Sequence, residues 1–231
     1  AMGAAAGLVY ELDHEALANY AVRWGPSHCL SSGQDGSMRG LLLNLAWLDY
    51  RTYLDGWPLE VSQCWSVLDE GPADALVEAL RVRDYYDDEM FADEHRAVAE
   101  LFEGLGNSIE ACDLMEFVLE SLEAEGVAGR VKIDVLSRLQ ELQQQAGLAG
   151  DRPSTTDALI KLLEAEEDVD EEELLAAQSS HVEALAGAAY FADAIELSEQ
   201  VLARARALYA DEPDMCMAYV HNHADTLMLA N

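Results

Sequence analysis

The residues best suited to chemistry are six histidines and four cysteines, and they are widely separated along the chain. One close group lies near the C-terminus, where His221, His223 and Asp225 alternate with Asn222 and Ala224. On a helix, residues two apart point in different directions, so the two imidazoles would not share a metal ion, whereas His221 and Asp225 share a face. A metal site would therefore need a further ligand from elsewhere. We expect a polar helix face here, and no metal or cofactor.

Sequence motifs of known active sites are absent. The chain has no HExxH, no phosphate-binding loop, no glycine-rich dinucleotide loop and no nucleophile elbow. Carboxylate pairs that could act as general acid and base are abundant, but among 45 acidic residues such pairs carry no information. The four cysteines form no CxxC, and we expect reduced, buried thiols. The sequence predicts a protein that is not an enzyme, with an enzyme lacking a recognisable motif as the minor alternative.

Acidic residues dominate the charge, since 45 Asp and Glu face 13 Lys and Arg for a net charge of −32. Such a field repels nucleic acid and anionic membranes and attracts a basic protein or peptide. Adaptation to a salt-rich cytosol and a bias towards solubility would also produce an acidic surface. No stretch approaches the roughly twenty apolar residues of a membrane span. A basic segment followed by an apolar core is missing at the N-terminus, so we expect a cytoplasmic protein.

The densest acidic run covers residues 164–173 and holds eight acids in ten positions. It lacks the central glycine of a calcium-binding EF-hand loop. It falls at a predicted junction between helices, where acids in a first turn favour the helix dipole. One interpretation is a solvated loop and helix start, and the other is a docking site for a basic partner. The candidate partner-binding residues of this run are Glu166, Glu167, Asp168, Asp170 and Glu171.

A second candidate surface combines aromatic rings with carboxylates. Adjacent Tyr85 and Tyr86 cannot both face the core of one helix, and Asp87 and Asp88 follow them. A tyrosine among carboxylates can hold arginine or lysine through cation–π and charge interactions together, although one ring could instead lie on the core edge. Trp57, between a glycine and a proline, is the tryptophan most expected to be exposed.

Helical periodicity extends along most of the chain, and glycine or proline separates the helical stretches. A first helix is predicted at residues 13–24, followed by a Gly/Ser-rich loop to residue 40. Further helices are predicted near 40–54, 58–69, 72–84, 90–104, 107–125, 129–146, 154–167, 170–187, 191–209 and 212–229. The predicted organisation is an N-terminal helix with its loop over 1–40 and a helical-hairpin domain over 41–231, because short connections make neighbouring helices antiparallel.

One helix–turn–helix segment has a distinctive pattern. A small residue and an aromatic lie on its first helix, a glycine closes the turn, and an acid–alanine pair on the second helix precedes a large apolar residue. These positions are Ala99, Phe102, Gly106, Glu110, Ala111 and Met115. The pattern resembles the tetratricopeptide repeat, in which the small residues allow two helices to cross closely.

Weaker matches to the same pattern occur around Val61, Ala158 and Ala194. With Ala111, these markers are spaced by 50, 47 and 36 residues, against about 34 in the standard repeat. The resemblance implies an all-α protein of tandem antiparallel helical hairpins, with an irregular helical bundle as the alternative.

The function that follows from these features is a protein–protein interaction scaffold or adaptor that binds a basic peptide or protein through a concave acidic surface. The alternative is an acidic inhibitor or immunity-type protein that presents carboxylates in place of phosphates to a nuclease or DNA-binding protein.

Overall fold

The computed structural model describes residues 25, 35–52, 61–65, 72–81, 88–127 and 129–230. Its helices are α1 (Asp35–Leu42), α2 (Leu45–Arg51), α3 (Pro72–Arg81), α4 (Asp88–Gly104), α5 (Ser108–Glu125), α6 (Arg130–Gln145), α7 (Arg152–Ala165), α8 (Glu171–Gly187), α9 (Phe191–Leu208) and α10 (Pro213–Leu229). Residues 61–65 are also helical, and the described ranges contain no strand. The predicted all-α fold class is confirmed.

The predicted and observed helices differ most at the N-terminal end of the described region. Residues 35–40, expected in the Gly/Ser-rich loop, form the start of α1. The single helix predicted over 40–54 is broken at Asn44, whose side chain accepts a hydrogen bond of 3.0 Å from the backbone N–H of Trp47. This side-chain acceptor caps a new helix, α2, and therefore explains the break. From α4 onward, each observed helix end lies within two residues of its prediction.

The chain divides into two compact units, residues 1–111 and 112–231. In the first unit, α1 packs against α2, and both α2 and α3 pack against α4. Its buried side chains include Trp47 and Trp65, the two tryptophans expected in the core. The proposed boundary between an N-terminal segment and the hairpin domain at residue 40 stays a prediction.

In the second unit, α6 to α10 pack each against the next, and α8 also contacts α10. One apolar cluster joins α6, α7 and α8 through residues such as Ile133, Leu159 and Leu174. A second cluster joins α8, α9 and α10 through Leu175, Val201 and Cys216. Helix α8 contributes to both clusters, so successive helices share one continuous core, as helical repeats do when no single hairpin can bury its own apolar face.

The helix ends in these hairpins share one backbone turn. At the end of α4, the N–H of Asn107 donates to the carbonyl of Phe102 at 2.8 Å, and Gly106 adopts φ +83°. The same bond from residue i to residue i−5 closes α5, α6 and α8. Each of these turns needs a residue in the left-handed region, for which glycine has no steric penalty. Glycine provides it after α5 and α6, and Ala189 provides it after α8.

The repeat is regular, and its length differs from the expected spacing. Helices α4, α6, α8 and α10 start at Asp88, Arg130, Glu171 and Pro213, at intervals of 42, 41 and 42 residues. The marker spacings of 50, 47 and 36 residues were therefore wrong as repeat lengths. Ala111 and Ala194 are fully buried, but Ala158 is only half-buried, and Arg152 stands 42 residues before Ala194. The marker in α7 was consequently placed out of register.

Two hydrogen bonds give the register between the last two repeats. The hydroxyl of Thr156 on α7 lies 2.7 Å from Nδ1 of His181 on α8. The hydroxyl of Ser198 on α9 lies 2.8 Å from Nδ1 of His223 on α10. Both members of the second pair follow those of the first by 42 residues, so α7–α8 and α9–α10 are equivalent hairpin elements at the level of single residues.

Candidate binding surface

The acidic run at residues 164–173 forms the connection between α7 and α8, and we call it the acidic turn. Helix α7 ends at Ala165, and Glu166 has an extended backbone that leaves the helix. Asp170 is the N-cap of α8, and its Oδ1 accepts a hydrogen bond of 2.9 Å from the N–H of Glu172. Glu171, Glu172 and Glu173 occupy the first turn of α8, where the helix dipole favours negative charge.

Arginines from the two flanking helices hold the start of α8. Arg130 of α6 donates to Glu173 at 2.7 Å, and this hydrogen bond is the main cause that raises the pKa of Arg130. Arg204 of α9 donates to Glu171 at 2.7 Å and to Gln178 at 2.8 Å. These ion pairs are solvent-exposed and contribute little stability each, but they fix the position of the acidic turn between α6 and α9.

The remaining acids of the turn have no such partner. Glu164, Glu166, Glu167 and Asp168 are exposed, and none forms an ion pair with any residue that the structure describes. Of the five acids predicted here as partner-binding, Glu166, Glu167 and Asp168 therefore present their carboxylates to solvent. Asp170 serves as a helix cap, and Glu171 is paired with Arg204.

The aromatic candidate surface lies largely beyond the description. Trp57, Tyr85, Tyr86 and Asp87 fall outside the described residues. Asp88 is the first residue of α4, is half-buried and lies in the first unit, whereas the acidic turn lies in the second. A role for these five residues in partner binding stays a prediction.

A row of polar side chains on α8 and α10 was not foreseen from the sequence. Asn222 of α10 donates to Ser179 at 2.9 Å and to Glu183 at 3.1 Å, and so joins α8 to α10. Arg152 at the start of α7 is buried, yet its carbonyl-type partners, Gln140 and Gln144, lie at 3.3 to 3.4 Å. Burial lowers the pKa of Arg152, and Glu183 partly opposes this effect. The only sequence signal here was Asn222 within the C-terminal histidine cluster.

The groups that could support other chemistry are separated or buried. His221 is exposed while His223 is bonded to Ser198, as expected for residues two apart on a helix. Within the described residues, no three His, Cys, Asp or Glu side chains are grouped closely enough to hold a metal ion. Cys64, Cys112 and Cys216 are free and buried, and burial raises the pKa of the Cys112 thiol to about 11. Cys29 lies outside the described residues.

None of the described helices combines the length and the apolar character that crossing a membrane requires.

Comparison with known proteins locates the fold. Neither a protein-family model nor a curated protein sequence matches the chain. Two solved structures do, and both contain nearly identical TPR-like repeats assigned to a kinesin light chain of Podosopora anserina. The first is 16% identical, with a TM-score of 0.57 over 88% of this chain and 87% of that chain. The second, a single-residue variant of the same repeats, is 17% identical with the same TM-score and coverage.

The fold of the chain is a tandem array of tetratricopeptide-like helical hairpins. The stacked antiparallel helices and the similarity to TPR-like repeats agree on this, and the expected resemblance is confirmed.

Proposed function

We propose that the protein is a protein–protein interaction scaffold that binds a basic peptide or a basic segment of a partner protein. The observation that supports this function is the set of unpaired carboxylates in the acidic turn, held between two helices by arginine pairs. Helical-hairpin arrays bind other proteins through extended surfaces of this kind. The same acidic character disfavours direct contact with nucleic acid or with an anionic membrane.

The arrangement favours a ligand rich in arginine or lysine. The bonds from Arg130 and Arg204 neutralise Glu173 and Glu171 at the start of α8, so the free charge is concentrated at Glu164, Glu166, Glu167 and Asp168. Each exposed pair with a basic ligand contributes about 0.2–1 kcal/mol, so several are needed for measurable affinity. Binding of this type depends strongly on salt, because exposed charges are screened within about 8 Å at physiological ionic strength.

The test is a binding titration with a fluorescently labelled peptide of alternating arginine and glycine. One variant carries Glu166→Gln, Glu167→Gln and Asp168→Asn in the acidic turn. The matched control carries Asp193→Asn, Glu196→Gln and Glu199→Gln, three exposed acids of α9. Both variants lose three negative charges, so the overall field changes equally while only one loses the acidic turn.

We expect the acidic-turn variant to bind the peptide about tenfold more weakly, or about 1.4 kcal/mol, and the α9 variant to change by less than twofold. Equal weakening in the two variants would mean that the peptide responds to net charge alone, and it would exclude the acidic turn as the binding site. A titration at several salt concentrations should show that the difference between the variants decreases as the ionic strength rises.

A further inference from the structure

One side of α10 is apolar and exposed. Met217, His221, Ala224 and Met228 are spaced by four, three and four residues, so they lie along one side of the helix, which we call the end face. The side chain of Met217 is 47% exposed and that of Met228 is 70% exposed. The opposite side of α10 packs on the core through Cys216 and Thr226. Within the described residues, nothing follows α10 to cover the end face.

The repeat shows what kind of element fits there. The residues 42 positions before Met217, Ala224 and Met228 are Leu175, Val182 and Ala186 of α8, and all three are buried. Leu175 and Val182 belong to the apolar cluster that Val201, Leu202 and Ala205 of α9 complete. In the preceding repeat, an antiparallel helix therefore covers the face that α10 leaves open. The end face has the form of a seat for one more helix.

The composition of the end face fits an exchangeable occupant. Arrays of helical repeats generally finish with a polar outer surface, which keeps the terminal repeat soluble. Helix α10 instead exposes two methionines, which are flexible side chains that adapt to differently shaped apolar partners. Ala224 lies between them, and a small residue in the middle of such a stripe allows a second helix to cross closely.

Charge defines the occupant further. Helix α10 contains no lysine or arginine, and its exposed Asp214 and Asp225 form no ion pair with the described residues. In the preceding repeat, the covering helix α9 contributes Arg204 to an acid at the start of α8. A covering helix with basic residues along its edge would complete the same kind of pair with Asp214 and Asp225. A second copy of this chain, with its own net charge of −32, meets electrostatic repulsion instead.

We infer that the end face of α10 binds an amphipathic helix of a basic partner protein. The helix lies antiparallel to α10, places a small residue over Ala224 and apolar residues against Met217 and Met228, and directs lysine or arginine towards Asp214 and Asp225. This surface is separate from the acidic turn, and it recognises helical shape and apolar contact in addition to charge.

The probe is a synthetic peptide of residues 191–208, the sequence of α9, with Asp193→Lys, Glu196→Lys and Glu199→Lys. These three positions are exposed in α9, so the changes add positive charge and keep the apolar stripe that covers α8. The unmodified peptide of the same residues tests the contribution of charge. Both peptides are titrated into the full chain, and peptide helicity is followed by circular dichroism.

Two protein variants form a matched pair. Met217→Glu places a charge in the end face, and Met215→Glu makes the same change at a methionine of α10 that is 51% exposed and lies on another side of the helix. We expect the lysine peptide to bind the native chain and the Met215→Glu variant alike, and to bind Met217→Glu at least tenfold more weakly. The unmodified peptide should bind the native chain several-fold more weakly than the lysine peptide.

The outcomes separate this inference from the proposed function. Equal binding of the lysine peptide to both variants would overturn the end-face site, and so would the absence of any binding to the native chain. Neither result affects the titration with the unstructured arginine–glycine peptide at the acidic turn. Light scattering that shows a dimer of the native chain and a monomer of Met217→Glu would also overturn the inference, because a second copy would then cover the face.

Discussion

His223 lies with its Nδ1 atom 2.8 Å from the hydroxyl oxygen of Ser198, and this contact joins α10 to α9 in the interior of the second unit. The Ser198 hydroxyl also donates to the carbonyl of Ile195 at 2.8 Å. A hydroxyl has one proton, so it accepts from His223 when it donates to the carbonyl. The Thr156 hydroxyl similarly donates to the carbonyl of Arg152 at 2.9 Å and lies 2.7 Å from Nδ1 of His181. A hydroxyl–imidazole pair thus links the two hairpins of each repeat.

Replacing Thr156 by valine should destabilise the protein by about 1–3 kcal/mol, because Nδ1 of His181 then loses its acceptor in a partly buried site. Thr156 is fully buried, and valine keeps its shape. Burial lowers the pKa of His181, so the imidazole is favoured in its neutral form and the loss is that of a neutral hydrogen bond. Urea unfolding followed by circular dichroism measures the change.

Thr156→Ser is the control for this substitution, since it keeps the hydroxyl and should lose less than the valine variant. The double variant Thr156→Val with His181→Leu removes both polar partners, and we expect it to recover part of the stability. A double variant as unstable as the sum of its single changes would contradict a direct coupling between the two side chains.

The helix positions could be predicted because glycine and proline mark most of the breaks. The backbone turn after α4 requires a residue with positive φ, and Gly106 provides it at the predicted place. The repeat length could not be predicted in the same way. The small residue at the helix crossing is alanine at positions 111 and 194, but the residue 42 positions before Ala194 is Arg152, which gives no such signal. The pairs that fix the register join residues 25 apart, beyond any local pattern.

The acidic turn illustrates the same limit for the binding surface. Composition alone located the run at residues 164–173, because eight acids in ten positions are conspicuous. Composition did not separate the free acids from the engaged ones. The arginine that binds Glu173 is 43 residues away in sequence, and the arginine that binds Glu171 is 33 residues away. Only the packing of α6 and α9 beside α8 brings these groups together.

Asp170 should be the acid of the turn that matters for stability. Its side chain caps α8 by accepting from the N–H of Glu172, so Asp170→Ala should lower the free energy of unfolding by about 1 kcal/mol. Asp168→Ala is the control, since that carboxylate is exposed and has no ion pair among the described residues, and it should change stability by less than about 0.5 kcal/mol. Thermal unfolding of the two variants side by side checks the difference, and equal destabilisation would argue against the cap.

His95 should make the protein sensitive to mild acid. Burial lowers the pKa of His95 to about 4, although the hydrogen bond from its Nδ1 to the carbonyl of Phe91 opposes this effect. The unfolded chain takes up a proton near pH 6.5 and the folded chain only near pH 4. The unfolded state therefore binds more protons between these values, and stability falls as the pH decreases from 6.5 to 4, by about 3 kcal/mol in total from this group.

The His95→Gln variant isolates that contribution. Glutamine can still donate to the Phe91 carbonyl but does not titrate, so the variant should lose less stability than the native chain between pH 7 and pH 5. The comparison of slopes, rather than of absolute stabilities, removes the carboxylates that titrate in both proteins. Parallel slopes would show that His95 does not control the acid response.

Ala189 occupies a backbone position that suits glycine. It has φ +65°, in the left-handed region, and the N–H of Tyr190 donates to the carbonyl of Leu185 at 2.9 Å, as in the turns closed by glycine. The Cβ of alanine is strained in this conformation, whereas glycine is not. The side chain of Ala189 is exposed, so its removal leaves no cavity. We expect Ala189→Gly to raise the free energy of unfolding by about 0.5–1 kcal/mol, because part of the relief is offset by the greater freedom of glycine in the unfolded chain.

The reverse change at the end of α6 is the matched experiment. Gly147 has φ +71°, and a Cβ added there would meet no atom within 4 Å, so Gly147→Ala introduces backbone strain without a steric clash. Its stability should fall by about 1 kcal/mol, in the opposite direction to Ala189→Gly. Urea unfolding of both variants decides the point. If glycine at position 189 lowers the stability, the turn after α8 does not require the left-handed conformation that the other three turns use.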